Sequence, residues 1–142
     1  KGLNIATLID LQKKDQQTID NLYKKKLLKK QNVLIFADFT GTSEADIEDM
    51  FGIEFYLKLV NAEYAAYLAQ PIAPESLTSK SPRIISKLEV YFSTHPLKNN
   101  SHFNHYRPAR YFAENTSILT KQIPPKALDS FEAAFRALNS LL

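Results

Sequence analysis

Two short apolar runs open the chain, and an amphipathic stretch separates them. Residues 4–10 and 32–38 are almost continuously apolar, and they end in Asp10 and Asp38 respectively. Residues 15–30 place apolar side chains at helical spacing among lysine, glutamine and asparagine. Continuous apolar strands joined through a helix are typical of parallel pairing with both faces covered. The pattern predicts a strand–helix–strand unit with a right-handed crossover.

The hydrophobic pattern changes to helical spacing after the second run. Ser43 stands three residues before Asp46, a spacing that resembles a helix-capping box, so a helix is expected to begin at Glu44. Gly52 interrupts this helix. Residues 53–68 resume the apolar face, and we expect them to form a second, longer helix.

The rest of the chain predicts helices alone. Residues 71–81 are rich in proline and serine and are expected to be a linker. Amphipathic stretches then begin near Pro82 and Pro108, and a last one reaches the end of the sequence. The predicted fold class is α/β: a partial parallel sheet in residues 1–70, and a helical C-terminal region in residues 82–142 packed on it.

The amino-acid composition excludes several kinds of functional site. Hydrophobic residues make up 44% of the 142 positions and charged residues 23%, which is ordinary for a globular protein. The chain has no cysteine, which excludes disulfides, a thiolate nucleophile and cysteine-type zinc sites. No apolar run approaches the roughly 18 residues of a membrane helix. The absence of cysteine is compatible with the cytosol, and a cytoplasmic location is expected. The sequence begins at Lys1 and its one methionine is Met50, which indicates a piece of a longer polypeptide.

Charge is distributed in three blocks. Residues 1–30 carry eight lysines against three aspartates, a net charge of +5. Residues 38–63 carry seven acids against one lysine, a net charge of −6, and residues 64–142 carry a net charge of +4. Acidic clusters can bind metal ions and basic segments can bind phosphates. The distribution of charge is therefore more informative about possible ligands than the net charge of +3.

The acidic block suggests a metal site. Asp10 and Asp38 each end a predicted strand, and Asp46 and Glu48 follow the second strand. Ligands of open parallel sheets bind outside the carboxyl ends of the strands, so these four side chains are candidate ligands for Mg²⁺ or Mn²⁺. The alternative is structural: acids stabilise the first turn of a helix, and a strand-end aspartate can cap a turn. Spacing alone favours the structural alternative.

A polar loop over residues 99–110 is the second candidate site. His105, Arg107 and Arg110 are interleaved with aromatic residues, a combination that suits contacts with phosphates and bases. These three residues are therefore candidate nucleic-acid contacts. The alternative, which we rank first, is that Arg107 caps a helix or pairs with an acid. Under this alternative the aromatic residues belong to the core: Tyr106, Tyr111 and Phe112.

Several of these segments resemble a known family. Residues 5–10, 33–38 and 44–51 are similar to the later part of a Toprim domain, in the variety fused to an AAA/ABC-type ATPase in overcoming-lysogenisation-defect (OLD) nucleases. Residues 103–111 and 131–135 resemble the helical tail of such ATPase–Toprim proteins. The resemblance covers most of the chain through short motifs. It implies a Mg²⁺-dependent nuclease and a role in phage or mobile-element defence.

The resemblance also assigns roles to residues. Asp10 matches the first aspartate of the family's Asp-x-Asp motif, and Glu48 with Asp46 matches its later acidic motif, so Asp10 and Glu48 are the implied catalytic residues. Two features depart from the family pattern. Gln12 stands where the second aspartate is expected, and the family's glutamate-bearing strand would precede Lys1.

Two functions follow as hypotheses. The first is the C-terminal part of an ATP-dependent, Mg²⁺-dependent DNA nuclease that is inactive without the ATPase portion of its own polypeptide. DNA and a second copy of the chain are further candidate partners, and no membrane is expected. The alternative is a non-catalytic interaction or DNA-binding α/β domain, a degenerate Toprim remnant.

Overall fold

A two-stranded parallel sheet begins the structure, as the apolar runs predict. The computed structural model describes residues 5–10, 16–25 and 29–141. Strand β1 (Thr7–Ile9) pairs in parallel with β2 (Val33–Ile35), with Thr7 opposite Val33. Helix α1 (Gln16–Lys24) lies between them in sequence. The predicted β-α-β order and the parallel pairing are confirmed.

The second strand ends earlier than the sequence predicts. After β2 the chain turns into a short helix, α2 (Ala37–Thr40), which Gly41 ends in a left-handed conformation with φ 73°. Phe36 already has helical backbone dihedrals as the residue that precedes α2, and Ala37 is the first residue of that helix; both side chains are buried. The prediction that Asp38 ends a strand is therefore wrong, because Asp38 lies in α2 and is exposed.

The helix expected from Glu44 also differs from the structure. A 3-10 helix begins at Ile47 and ends at Phe51, and α3 (Ile53–Glu63) follows it. Gly52 separates the two with φ 78° and ψ 153°, a conformation that is essentially restricted to glycine. This glycine lets the chain change direction, so the acidic 3-10 helix and α3 are separate elements.

The predicted helical C-terminal region is confirmed. It contains helices α4 (Ile84–Thr94), α5 (Tyr106–Glu114), α6 (Thr116–Leu119) and α7 (Pro125–Asn139). Shorter 3-10 turns elsewhere span Lys30–Asn32, Pro74–Ser76, Lys98–Asn100 and Thr120–Gln122. No helix in the described part of the chain is long and apolar enough to span a membrane.

The larger of two hydrophobic clusters lies between α3 and the helical region. Its buried members include Val60 of α3 and Leu88 of α4. Residues 71–81, expected to be a linker, also contribute to it through the buried side chains of Ile72 and Leu77. The Asn61 side chain fixes this segment by bonding both the N–H and the carbonyl of Ile72, at 2.8 and 2.9 Å. The segment is therefore part of the core, while the division into two units stays a prediction.

The smaller cluster surrounds the sheet. Its buried residues come from the start of α2, the loop that follows it, the 3-10 helix and α7: Phe36, Ala37, Ala45, Met50 and Ala134. The aromatic rings of Phe51 and Phe131 lie 5.0 Å apart between their centroids and connect this cluster to the larger one. The end of β1 and the acidic 3-10 helix thus lie where the two clusters meet.

Candidate functional site

Four acidic residues from two segments lie together at the end of β1. Asp10 directly follows β1, and its Oδ1 accepts a hydrogen bond from the backbone N–H of Ile47 at 3.2 Å. This bond brings Asp10 to the 3-10 helix, beside Asp46, Glu48 and Asp49, and we call these four acids the acidic cluster. Burial raises the pKa of Asp10, and the negative charges of Asp46 and Glu48 raise it further. The structure thus brings together three of the four predicted metal ligands.

Asp46 has a strong partner of its own. The Nε of Arg83 lies 2.9 and 2.8 Å from its two carboxylate oxygens, and Nη2 lies 2.6 Å from Oδ2. The pair is largely buried, with 5% of the Asp46 side chain and 15% of the Arg83 side chain exposed. Both oxygens of Asp46 are therefore engaged by a guanidinium, which supplies the positive charge that a metal ion would otherwise provide.

Asp49 connects two helix starts. Its carboxylate accepts hydrogen bonds from the backbone N–H of Asp46 at 2.7 Å and from the backbone N–H of Ile84 at 2.8 Å. Burial raises the pKa of Asp49, although these two bonds oppose that rise. Asp49 is not among the predicted metal ligands. Its structural role could have been predicted, because Asp46 and Asp49 have the three-residue spacing of a capping box.

Glu48 lies against the start of α5. Its Oε1 is 3.0 Å from Nδ1 of His105, with 14% of the glutamate side chain and 60% of the histidine side chain exposed. Tyr56 supports this arrangement, since its hydroxyl donates to the His105 carbonyl at 3.5 Å. Burial, and then the charge of Glu48, raise the pKa of Tyr56 far above its ordinary range. One predicted nucleic-acid contact, His105, therefore adjoins a predicted catalytic residue.

The two candidate arginines have different environments. Arg107 donates from Nε to Glu63 at 2.7 Å, and its guanidinium lies 4.6 Å from the centre of the Tyr64 ring. This agrees with the alternative interpretation, in which Arg107 pairs with an acid. Arg110 has 56% of its side chain exposed and lies 3.6 Å from Glu63 and 3.7 Å from Glu114.

The alternative interpretation placed three aromatic residues of this region in the core, and the structure agrees for two of them. Tyr111 and Phe112 pack against the larger cluster, as the alternative predicts. Tyr106 is 73% exposed, so its assignment to the core is wrong.

Two further residues were considered for the metal site. Asp38 is exposed in α2, and Gln12 lies outside the described residues. Among residues 5–10, 16–25 and 29–141, no three or more histidine, aspartate or glutamate side chains form a metal-binding group. Asp10 and Glu48 still supply hard oxygen donors. Such a pair fits Mg²⁺, which binds through one or two carboxylates together with waters and substrate phosphates.

Comparison of the chain with protein-family models, curated proteins and solved structures finds no significant match. The fold and the site define a mixed α/β protein with carboxylates at the carboxyl end of a parallel strand.

Proposed function

We propose that this chain is part of a Mg²⁺-dependent DNA nuclease of the ATPase–Toprim type, with Asp10 and Glu48 as its catalytic carboxylates. The observation that carries the proposal is the contact between the end of β1 and the 3-10 helix. Through it Asp10 lies close enough to Glu48 for the glutamate charge to raise the aspartate pKa. The carboxyl end of a parallel strand is also where open α/β proteins bind their ligands.

The residues of the acidic cluster have separate roles in this proposal. Asp10 is exposed, and it binds the cation together with Glu48. The cation, when bound, polarises the phosphodiester and activates a water molecule. Arg83 neutralises Asp46 and so limits the repulsion around Asp10. Asp49 fixes the start of the 3-10 helix against α4 through its two backbone hydrogen bonds.

The proposed partners follow from the same assignment. The ATPase portion of the same polypeptide and DNA are the expected partners, with a second copy of the chain as a further one. The same assignment predicts that the chain is inactive without the ATPase portion of its polypeptide. A cytoplasmic location belongs to the same proposal.

The proposal is tested in the full polypeptide that carries these residues. Asp10→Ala and Glu48→Ala are each expected to abolish Mg²⁺-dependent nicking of supercoiled DNA and to leave ATP hydrolysis largely intact, because each removes a proposed metal ligand and leaves the ATPase portion unchanged. Asp38→Ala is the matched control, since Asp38 is an exposed aspartate in α2, and it should nick normally. Unchanged nicking by both cluster variants would refute the assignment.

A second candidate function has its own supporting observation. Both oxygens of Asp46 contact Arg83, and Glu48 contacts His105, so the acids already have protein partners. This favours a non-catalytic interaction or DNA-binding domain. Calorimetric titration with Mg²⁺ separates the two candidates: heat of binding that Asp10→Asn removes supports the nuclease, whereas no binding to the full polypeptide supports the second function.

A further inference from the structure

Exposed apolar residues are the sequence neighbours of Glu48 and His105. Nδ1 of His105 and Oε1 of Glu48 are 3.0 Å apart. Ile47 directly precedes Glu48 and is 45% exposed, and Tyr106 directly follows His105 and is 73% exposed. Tyr106 therefore offers an exposed aromatic ring one residue from a histidine that contacts the acidic cluster.

An arginine accompanies the exposed tyrosine. Arg110 lies four residues after Tyr106 in α5, and such residues are neighbours on one helix face, about 5–6 Å apart at their Cβ atoms. Its contacts with Glu63 and Glu114 are longer than hydrogen bonds, at 3.6 and 3.7 Å. Arg107, by contrast, donates to Glu63 at 2.7 Å. Arg110 is thus the better placed of the two to contact a ligand.

From this geometry we propose that Tyr106 stacks on an unpaired base of single-stranded DNA, while Arg110 contacts its phosphate backbone. The inference rests on the proposed nuclease function and specifies its substrate class. Stacking on an aromatic side chain requires a base face that is free of its neighbours, which single-stranded DNA offers and an intact duplex does not. Because Tyr106 directly follows His105, which contacts Glu48, a nucleotide stacked on Tyr106 would be held near the acidic cluster.

The proposal is tested by equilibrium binding of a fluorescent thymine-only oligonucleotide to the full polypeptide, with Ca²⁺ in place of Mg²⁺. Tyr106→Leu should weaken binding by about 5- to 150-fold, the range expected for the loss of one base–aromatic stack. Tyr106→Phe preserves the ring and should bind as wild type does. Phe135→Leu is the matched control, because Phe135 is a similarly exposed aromatic residue on α7, 58% exposed.

An abasic oligonucleotide of the same length identifies stacking as the cause. Wild type and Tyr106→Leu should bind it equally, because no base is present to stack. The proposal is overturned if Tyr106→Leu binds the thymine oligonucleotide as tightly as wild type, or if a duplex of equal length competes as well as the single strand. The nuclease assignment is judged separately by nicking with Asp10→Ala, so either conclusion can fail while the other stands.

Discussion

Asp10 has an unfavourable electrostatic environment when it is ionised. Burial raises its pKa first, and Asp46 and Glu48 raise it further. Between the ordinary pKa and the raised pKa, the folded state binds a proton more tightly than the unfolded state does. Stability from this group is therefore fully present below the ordinary pKa and is lost as pH rises through the raised one. A destabilising charge of this kind is expected where carboxylates are gathered for function.

Replacement of Asp10 by asparagine should stabilise the protein at neutral pH. Asp10→Asn removes the charge and keeps an oxygen that can accept the Ile47 N–H bond. In EDTA, we expect the free energy of unfolding to rise by about 0.2–1 kcal/mol, a small gain because solvent screens exposed charges. The loss of stability with rising pH in the acidic range should also diminish. Urea unfolding across pH measures both effects. Asp38→Asn serves as the control and should change neither, and destabilisation by Asp10→Asn at neutral pH would contradict the account.

At the scale of secondary-structure elements, the sequence predicts which strands pair better than it predicts where each strand ends. The parallel pairing of β1 and β2 is correct, since continuous apolar runs joined through a helix are typical of parallel strands, although all six strand residues are half-buried. The end of β2 was not predictable in this way. Phe36 and Ala37 turn into α2 to join a cluster with Ala134, almost a hundred residues further along the chain. A local pattern contains no information about that partner.

The same reason limits what the sequence says about the acidic cluster. The density of acids after the second strand is visible in the sequence, and Asp10, Asp46 and Glu48 do come together. Their counter-ions are not visible, because Arg83 is 37 residues from Asp46 and His105 is 57 residues from Glu48. Pairings over such distances depend on the packing of α4 and α5, which helical periodicity alone does not fix.

The bond between Arg83 and Asp46 should be a major link between the 3-10 helix and α4. Arg83→Met leaves the buried Asp46 carboxylate without its partner, and breaking a buried ion pair typically costs about 3–5 kcal/mol. Arg136→Met is the matched control, because its pair with Glu132 is exposed, with 79% and 60% of the side chains accessible. That variant should lose no more than about 0.5 kcal/mol. Urea unfolding compares the two, and equal losses would show that the Arg83 pair contributes no more than a surface pair.

In the whole molecule, a few aromatic rings join the two hydrophobic clusters. Phe51 lies 5.0 Å from Phe131, 5.6 Å from Phe55 and 5.7 Å from Phe112, measured between ring centroids. Phe131 packs against the smaller cluster around the sheet, whereas the other three rings belong to the larger cluster or pack against it. The acidic cluster lies beside this junction, since Asp49 is two residues before Phe51. The positions of the acidic side chains therefore depend on how the two hydrophobic clusters pack against each other.

Removal of the Phe131 ring should destabilise the smaller hydrophobic cluster more than the larger one. Phe131→Ala is expected to cost about 2 kcal/mol or more, below the 3–5 kcal/mol of a fully buried phenylalanine because Phe131 is half-buried. Hydrogen exchange should accelerate in residues 29–45 around the sheet more than in α3 and α4, since the sheet loses its aromatic support. Leu128→Ala, at an exposed position of α7, is the control and should leave exchange unchanged.

The same variant connects stability to function. If the sheet opens locally, Asp10 separates from Glu48 while α3 and α5 stay folded, so nicking should fall while Tyr106-dependent binding of single-stranded DNA persists. Equal acceleration of exchange in both clusters would instead indicate one cooperative unit. In that case nicking and binding should decline together, in proportion to the unfolded fraction. The two readouts therefore decide whether the junction at Phe51 and Phe131 is needed to position the proposed catalytic carboxylates or only to stabilise the fold.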